Sequence, residues 1–206
     1  MPNVAVIDYG MGNLRSVLKA WESVGANSRL VSSPSQIDSR DVLVFPGQGA
    51  IVDAMKLLKS AGFDSAIKSW VAEDKPFFGI CLGLQALFDF SEEGNADCLG
   101  IFRGRVERFA LDRRYKVPHM GWDDVSFKPN AALLKGIRTE GEQFYFVHSY
   151  CVKTPDEDLV FGKCSYGGAG FAGAVLRGRT FACQFHPEKS QSKGLQLYKN
   201  FLGYVS

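Results

Sequence analysis

One cysteine of the chain stands in a setting that suits a nucleophile. Cys81 is the centre of G-I-C-L-G (79–83), with an apolar strand-like run before it and a helical pattern after it. This is the pattern of a nucleophile elbow, in which a reactive side chain projects from a sharp strand-to-helix turn. The helix N-terminus favours the thiolate, and the backbone N–H of Leu82 can point at an oxyanion. We therefore predict that Cys81 is a nucleophile. The other cysteines are interpreted as small buried hydrophobes: Cys98, Cys151, Cys164 and Cys183.

A cysteine nucleophile needs an imidazole partner and a group that orients the imidazole. The chain has three histidines. Only His186, in Q-F-H-P-E, has a carboxylate two residues further on, at Glu188. Side chains at positions i and i+2 of an extended segment face the same way, so these two can project together from the end of a strand. We predict a triad of Cys81, His186 and Glu188, and we interpret His119 and His148 as structural histidines.

The elements that must hold these groups alternate between strand and helix in the first half of the chain. Strand patterns cover 4–8, 28–31, 41–47 and 76–80, and helical patterns cover 13–24, 50–59, 64–73 and a segment from 82. Such alternation predicts parallel strands with helices on both faces. Strand-like runs then follow at 101–109, 145–152, 159–166 and 172–185, before a helix at 194–202. We predict an α/β fold in one domain, residues 1–206, with a mostly parallel central sheet and further, partly antiparallel strands in the C-terminal half.

Composition excludes several classes of protein. The 206 residues carry 24 basic and 22 acidic side chains, so no strong attraction to nucleic acid or a membrane surface is expected. The apolar runs are shorter than a membrane span, and the N-terminal segment lacks the features of a signal peptide. Five cysteines without a C-x-x-C pair argue against a disulfide scaffold and a structural zinc site. We expect a cytoplasmic chain with reduced thiols.

The glycine pattern G-M-G-N-L-R (10–15) does not indicate a nucleotide cofactor. Arg15 stands where a dinucleotide-binding fingerprint needs its third glycine, and no Walker-type loop is present. The sequence therefore predicts neither a cofactor nor a metal.

Five segments together resemble the triad-type, class I glutamine amidotransferases, and among them the glutaminase subunits of imidazole glycerol phosphate synthase. The segments are IDYGMGNLRSV (7–17), GICLGLQ (79–85), PHMGW (118–122), FYFVHSY (144–150) and QFHPEKS (184–190). The resemblance implies a flavodoxin-like fold and hydrolysis of the side-chain amide of glutamine. In this chemistry Cys81 attacks the carboxamide carbon, His186 protonates the departing ammonia and then activates water, and Glu188 orients the imidazole.

The same resemblance implies roles for further residues around the triad. Gln85 would hold the amino-acid end of glutamine, and Ser149 and Tyr150 would line the site with backbone groups. The loop Gly47, Gln48, Gly49 would supply a second oxyanion N–H beside that of Leu82. Two positions depart from the family pattern: Gln48 stands where Val is frequent, and Asp123 stands where Asn is frequent.

The resemblance also implies a partner that uses the ammonia. This would be a separate (β/α)8-barrel cyclase subunit, joined to the glutaminase as a heterodimer and supplied with ammonia through an internal channel. Its products would be imidazole glycerol phosphate and an aminoimidazole carboxamide ribonucleotide. Trp122, Tyr145 and Lys189 match interface positions of the family, although the pattern around Trp122 and Tyr145 is equally typical of core aromatics. We expect the partner with its ligand to stimulate glutaminase activity, with the loop at 47–49 as the gate.

Two other hypotheses remain open on the sequence. The chain could be a paralogous glutaminase that supplies a different synthase, such as a surface-sugar amidotransferase, because the triad would be unchanged. It could also be an inactive homologue that serves as a binding module. Retention of Cys81, His186, Glu188 and Gln85 argues against the second hypothesis.

Overall fold

The first half of the chain builds a parallel sheet, as its alternating pattern predicts. The structure is a computed structural model and describes residues 1–206. The parallel strands are β1 (Asn3–Ile7), β2 (Asn27–Val31), β3 (Val42–Gly47) and β4 (Phe77–Cys81), in the spatial order β2-β1-β3-β4. The connecting helices are α1 (Leu14–Ser23), α2 (Ile51–Ala61) and α3 (Phe63–Ala72). Every residue of β3 and β4 is buried, which is typical of parallel strands covered on both faces.

The second half extends the sheet mainly with antiparallel strands. After the one-turn helix α4 (Leu82–Gln85), the strands are β5 (Phe90–Ser91), β6 (Ala96–Asp97), β7 (Arg105–Arg108), β8 (His119–Phe127), β9 (Glu142–His148), β10 (Tyr150–Lys153), β11 (Val160–Tyr166), β12 (Ala169–Arg177) and β13 (Thr180–Cys183). Strand β13 pairs parallel with β4, and the sheet then continues antiparallel through β12, β10 and β7. A branch runs from β12 through β11 and β8 to β9. The predicted fold class is confirmed.

Several elements differ from the sequence-based prediction. The single run predicted at 172–185 is two strands, because β12 and β13 pair antiparallel across a turn. Strand β8 was not predicted, because its sequence lacks the apolar–polar alternation of a half-buried strand: the apolar Met120 and Trp122 lie on its exposed face, whereas Asp123 shares the inner face with His119. The single run predicted at 145–152 is two strands, since β9 pairs with β8 while β10 pairs with β7 and β12. Helix α4 ends after one turn because the carbonyls of Ala86, Leu87 and Phe88 accept hydrogen bonds from residues 99–102 instead of continuing the helix.

The core consists of two apolar layers, one on each face of the sheet. Consecutive strand residues contribute to opposite layers, so Phe77 packs on the side of α2 and α3 while Phe78 packs on the side of α1. The last helix, α5 (Gln191–Val205), completes the layer that contains Phe78. None of the helices has the length and apolar character needed to cross a membrane.

Helix α5 is held close to the short 3-10 turn at Pro187–Lys189. A Cβ at Gly194 would overlap the backbone carbonyl of Pro187, so only glycine allows this approach. The second glycine of the helix, Gly203, has no atom within 4 Å of its Cβ position. The two glycines therefore differ in packing while sharing one helix.

We expect Gly194→Ala to lower the free energy of unfolding by about 1–3 kcal/mol, because the added methyl group forces α5 away from the turn. Gly203→Ala is the matched control. It should raise the free energy of unfolding, by up to about 1 kcal/mol, because alanine is the better helix former. Urea unfolding followed by circular dichroism measures both. Equal changes in the two variants would contradict the close packing at Gly194.

Candidate active site

The candidate nucleophile lies on a sharp turn between β4 and α4. Cys81 has a φ of +53°, a left-handed conformation that is uncommon for a residue with a Cβ. The flanking glycines permit the turn. A Cβ at Gly79 would lie 2.8 Å from the Ala182 Cβ, and a Cβ at Gly83 would overlap the Phe45 carbonyl oxygen. The geometry is that of the predicted elbow.

Parallel pairing of β4 with β13 brings the predicted base to this turn. Cys183 lies opposite Ile80 in the register, so both strands end at the same edge of the sheet. His186 follows β13, and its Nδ1 lies 2.8 Å from Glu188 Oε1. Its Nε2 is buried without a hydrogen bond to the protein, which leaves this nitrogen free for proton transfer.

The pairing of His186 with Glu188 arises differently from the prediction. The predicted position of both side chains is an extended segment, whereas Glu188 lies in the 3-10 turn Pro187–Lys189. The side chains meet because the chain turns back immediately after His186. Tyr198 of α5 packs nearby, and burial together with the charge of Glu188 raises the pKa of its phenol.

His186 carries a strongly perturbed pKa. Burial alone would lower this pKa, but the negative charge of Cys81 and the Glu188 carboxylate outweigh burial and raise it to about 10. While Cys81 is a thiolate, the ring beside it is therefore an imidazolium. A thiolate paired with an imidazolium is the reactive form of a catalytic cysteine.

Gln184 joins the site, although the sequence analysis did not identify it. Its Nε2 lies 3.5 Å from the Cys81 Sγ, and its Oε1 accepts a hydrogen bond of 3.1 Å from Gln85 Nε2. The same Gln85 nitrogen donates to the Tyr150 carbonyl at 3.0 Å. The sequence feature that could have identified Gln184 is its spacing, because Gln184 precedes His186 by two residues at the end of the same strand.

Most of the predicted site residues surround one cavity of about 450 Å³. The predicted residues on its wall are Gln48, Gly49, Cys81, Leu82, Gln85, Ser149, Tyr150, His186 and Lys189. Glu188 lies behind His186, and Gly47 lies behind Leu82. The wall also includes Glu93, which the sequence analysis missed, and His148, which it interpreted as structural. Glu93 Oε2 accepts a hydrogen bond of 2.9 Å from the backbone N–H of Ile51 at the start of α2.

The predicted oxyanion loop lies beside the elbow. A Cβ at Gly47 would lie 2.6 Å from the Leu82 Cβ and 3.1 Å from the Tyr9 hydroxyl, and Gly49 has a φ of +94°. The backbone N–H of Gln48 faces the Tyr9 hydroxyl. Burial and the charge of Cys81 raise the pKa of Tyr9, and the Gln48 N–H opposes this rise. The loop therefore places the Gln48 N–H close to the elbow, against Tyr9.

The three predicted interface residues lie at the surface next to this cavity. Trp122 on β8 is 44% exposed, so the alternative that it is a core aromatic is wrong. Tyr145 is its cross-strand neighbour on β9, with 6.1 Å between the ring centroids, and it is half-buried. Lys189 is exposed and also contributes to the cavity wall.

Comparison with known proteins defines the class of this protein. The family described as glutamine amidotransferase class-I matches residues 5–203. A structure of PurLQS from Thermotoga maritima superposes with a TM-score of 0.78 over 100% of this chain and 99% of that chain, at 18% identity. A crystal structure of a glutamine amidotransferase superposes with a TM-score of 0.73 over 98% of both chains, at 21% identity. These two likenesses concern the fold. The chain belongs to the class I glutamine amidotransferase family, a family of enzymes, and the resemblance seen in its sequence is confirmed.

Relatives with higher sequence identity indicate one kind of glutamine amidotransferase subunit. Imidazole glycerol phosphate synthase subunit HisH of Dechloromonas aromatica is 50% identical, over 97% of this chain and 95% of the relative. The subunit of the same name from Pseudomonas syringae is 47% identical, over 99% and 98%. That of Thermosynechococcus vestitus is 44% identical, over 99% and 98%. The similarity thus extends over nearly the whole of each chain.

We expect Cys81→Ser to lower the pKa of His186 well below 10, because the charge of the thiolate is lost while the imidazole stays buried. Imidazole nitrogen shifts measured by NMR across the pH range report this pKa, and with three histidines the spectrum is simple to assign. Cys98→Ser is the control, since Cys98 is buried away from the cavity and should leave the pKa unchanged. An unchanged His186 titration in Cys81→Ser would show that the thiolate is not the cause of the shift.

Proposed function

We propose that this chain is the glutaminase subunit of imidazole glycerol phosphate synthase in histidine biosynthesis. It hydrolyses L-glutamine to glutamate and ammonia and passes the ammonia to a (β/α)8-barrel cyclase subunit. The observation that carries the proposal is the convergence of Cys81, His186 and Glu188 on one cavity, in a chain about half identical to HisH subunits. Residues 1–206 act as one domain in this proposal.

The triad performs the hydrolysis in two steps. The Cys81 thiolate attacks the carboxamide carbon, and the oxyanion that forms accepts hydrogen bonds from the N–H groups of Leu82 and Gln48. His186 gives its proton to the departing nitrogen, which leaves as ammonia and creates a thioester. A water molecule then attacks the thioester with neutral His186 as base, and glutamate and the thiolate are released. Glu188 keeps Nε2 of the imidazole directed at the reacting atoms throughout.

The cavity offers acceptors for the amino-acid end of glutamine. Both N–H bonds of the Gln85 amide are directed at protein acceptors, so its Oε1 is the atom available to a substrate ammonium group. Glu93 adds a carboxylate on the same wall. Backbone groups of Ser149 and Tyr150 line the opposite part of the cavity and would contact the rest of the substrate.

The exposed face around Trp122 is the proposed contact with the cyclase. Met120 and Trp122 are 62% and 44% exposed, although large apolar side chains are usually buried in a protein without partners. Tyr145 and Lys189 continue this face toward the cavity. Ammonia released beside His186 would thus be close to the partner, and the loop at 47–49 would act as the gate for stimulation.

The two competing hypotheses have weaker support. A glutaminase of a different synthase would share the triad, but the relatives that match over nearly the full length are named as HisH subunits. An inactive binding module would not need the raised pKa of His186 or the contact between Gln184 and Cys81. The histidine-pathway assignment is therefore preferred.

We expect glutamate release from glutamine to be weak for this chain alone and strongly stimulated by the cyclase subunit with its nucleotide ligand. Cys81→Ala should abolish release under all conditions, because the nucleophile is lost. Enzymatic assay of glutamate measures the outcome. Turnover that does not respond to this cyclase would assign the chain to another synthase. Absence of turnover in every condition would refute the glutaminase itself.

We expect Trp122→Ala to weaken association with the cyclase subunit by about 30-fold or more, which is the loss typical of a central aromatic at an interface. Titration calorimetry measures the dissociation constant. Leu30→Ala is the control, because Leu30 is also an exposed large hydrophobic residue but lies on the edge strand β2. Equal affinity of Trp122→Ala and wild type would exclude this face as the contact.

A further inference from the structure

A continuous series of polar contacts connects the nucleophile with a carboxylate on β8. From Gln184, which contacts Cys81, it passes through Gln85 to the Tyr150 carbonyl. The Tyr150 carbonyl also lies 2.8 Å from His148 Nδ1. The series then continues from His148 Nε2 to His119 Nδ1 at 3.2 Å and from His119 Nε2 to Asp123 Oδ2 at 3.1 Å. The last three residues of this series, Asp123, His119 and His148, have no part in the triad chemistry.

The direction of each hydrogen bond near the cavity is fixed by a backbone carbonyl. A carbonyl oxygen only accepts, so the Tyr150 oxygen requires an N–H from Gln85 and another from His148 Nδ1. Burial lowers the pKa of His148 to about 3, so the ring is neutral at ordinary pH and its Nε2 must be an acceptor. The partner of that nitrogen, His119 Nδ1, must therefore carry a hydrogen.

This direction leaves the contact between His119 and Asp123 one proton short. If His119 is neutral with its hydrogen on Nδ1, its Nε2 presents a lone pair to the Asp123 carboxylate, and the two repel each other. If the hydrogen moves to Nε2, the contact with His148 loses its donor. All contacts are satisfied together only when one additional proton is present, so that His119 is an imidazolium paired with the carboxylate.

The surroundings of this proton are mostly aromatic. His119 stacks on Tyr166 and Phe146, with ring centroids 4.0 Å and 5.0 Å away. Burial lowers the pKa of His119 below its ordinary value, and the charge of Asp123 and its hydrogen bond offset only part of this fall. The titratable groups that face the three side chains are few. Tyr166, Asp123 and His148 surround His119. His186 lies near His148, and Cys164 lies near Asp123.

We propose that Asp123, His119 and His148 are positioning residues for the glutamine site, complete only when one proton is shared between His119 and Asp123. They hold the Tyr150 carbonyl, and through it Gln85 and Gln184, against the nucleophile. The positioning role rests on the proposed function, because it takes glutamine as the occupant of the cavity. When the proton is lost, the contact at Asp123 breaks first, since that carboxylate is the most exposed of the group at 29%.

Asparagine at position 123 would remove the need for the proton. Its amide N–H donates to His119 Nε2 while neutral His119 donates from Nδ1 to His148, so every contact is made without an added charge. Asp123→Asn therefore keeps the shape of the series and changes only its protonation. Asp124→Asn is the matched control, because Asp124 is exposed on the same strand and makes no contact with either histidine.

The first test is the protonation state of the histidines, measured by imidazole nitrogen NMR on the full chain. We expect His148 to be neutral with its hydrogen on Nδ1 in every variant. His119 should lose its proton at a lower pH in Asp123→Asn than in wild type or Asp124→Asn. A hydrogen on Nε2 of His148, or identical His119 titrations in wild type and Asp123→Asn, would overturn the proposed proton count.

The second test is glutamine binding by the Cys81→Ser protein, which keeps a hydrogen-bond acceptor at position 81 and lacks the reactive thiolate. Calorimetry below and above the measured His119 titration should show affinity falling by about three- to tenfold as the proton is lost, the worth of about one hydrogen bond. Adding Asp123→Asn should abolish this pH dependence, and adding Asp124→Asn should preserve it.

The outcomes of the binding test separate the two proposals. Binding that depends equally on pH with and without Asp123→Asn would overturn the positioning role while leaving the glutaminase assignment intact. Absence of glutamine binding at either pH would overturn the proposed function and the positioning role with it. The histidine spectra would still decide whether the proton is present, because they need no ligand.

Discussion

The constraint on which the rest of the site depends is the burial of the His186 imidazole beside the sulfur of Cys81. Removing two charges from water is unfavourable unless other groups satisfy them, so an unsupported pair would neutralise itself. Glu188 contacts one ring nitrogen of His186, and Gln184 Nε2 faces the sulfur. The charge of Cys81 and the Glu188 carboxylate outweigh burial and raise the pKa of the buried ring to about 10. The chemistry of the site therefore depends on residues that never touch the substrate carbon.

The sheet supplies the geometry for this pair. Strands β4 and β13 run parallel and end at the same edge, which is where parallel α/β sheets place their ligand sites. Gly79 and Gly83 allow the backbone to approach Ala182 and Phe45 closely enough for the turn at Cys81. Gly194 likewise allows α5 to pack closely against the turn that follows His186. Close backbone approaches on both sides thus fix the two reacting side chains.

The histidines of β8 and β9 connect the cavity with the face that carries Trp122. Register pairs His119 with His148 and Trp122 with Tyr145 on the same two strands. Side chains alternate along each strand, so the histidines point into the protein while Trp122 is exposed. One strand pair therefore carries both the buried polar series and the proposed partner surface.

Sequence by itself determined the parts of this protein that depend on local order. The glycine spacing around Cys81 predicted the elbow, the apolar runs predicted β3 and β4, and Q-F-H-P-E predicted His186 with Glu188, because each signal lies within a few residues. Tertiary structure alone decided the rest. Gln184 is 103 residues from Cys81, and strand β8 is recognisable as a strand only by its pairing with β9 and β11. Even the meeting of His186 with Glu188 depends on a turn that packs against α5, and no local pattern encodes a contact between distant segments.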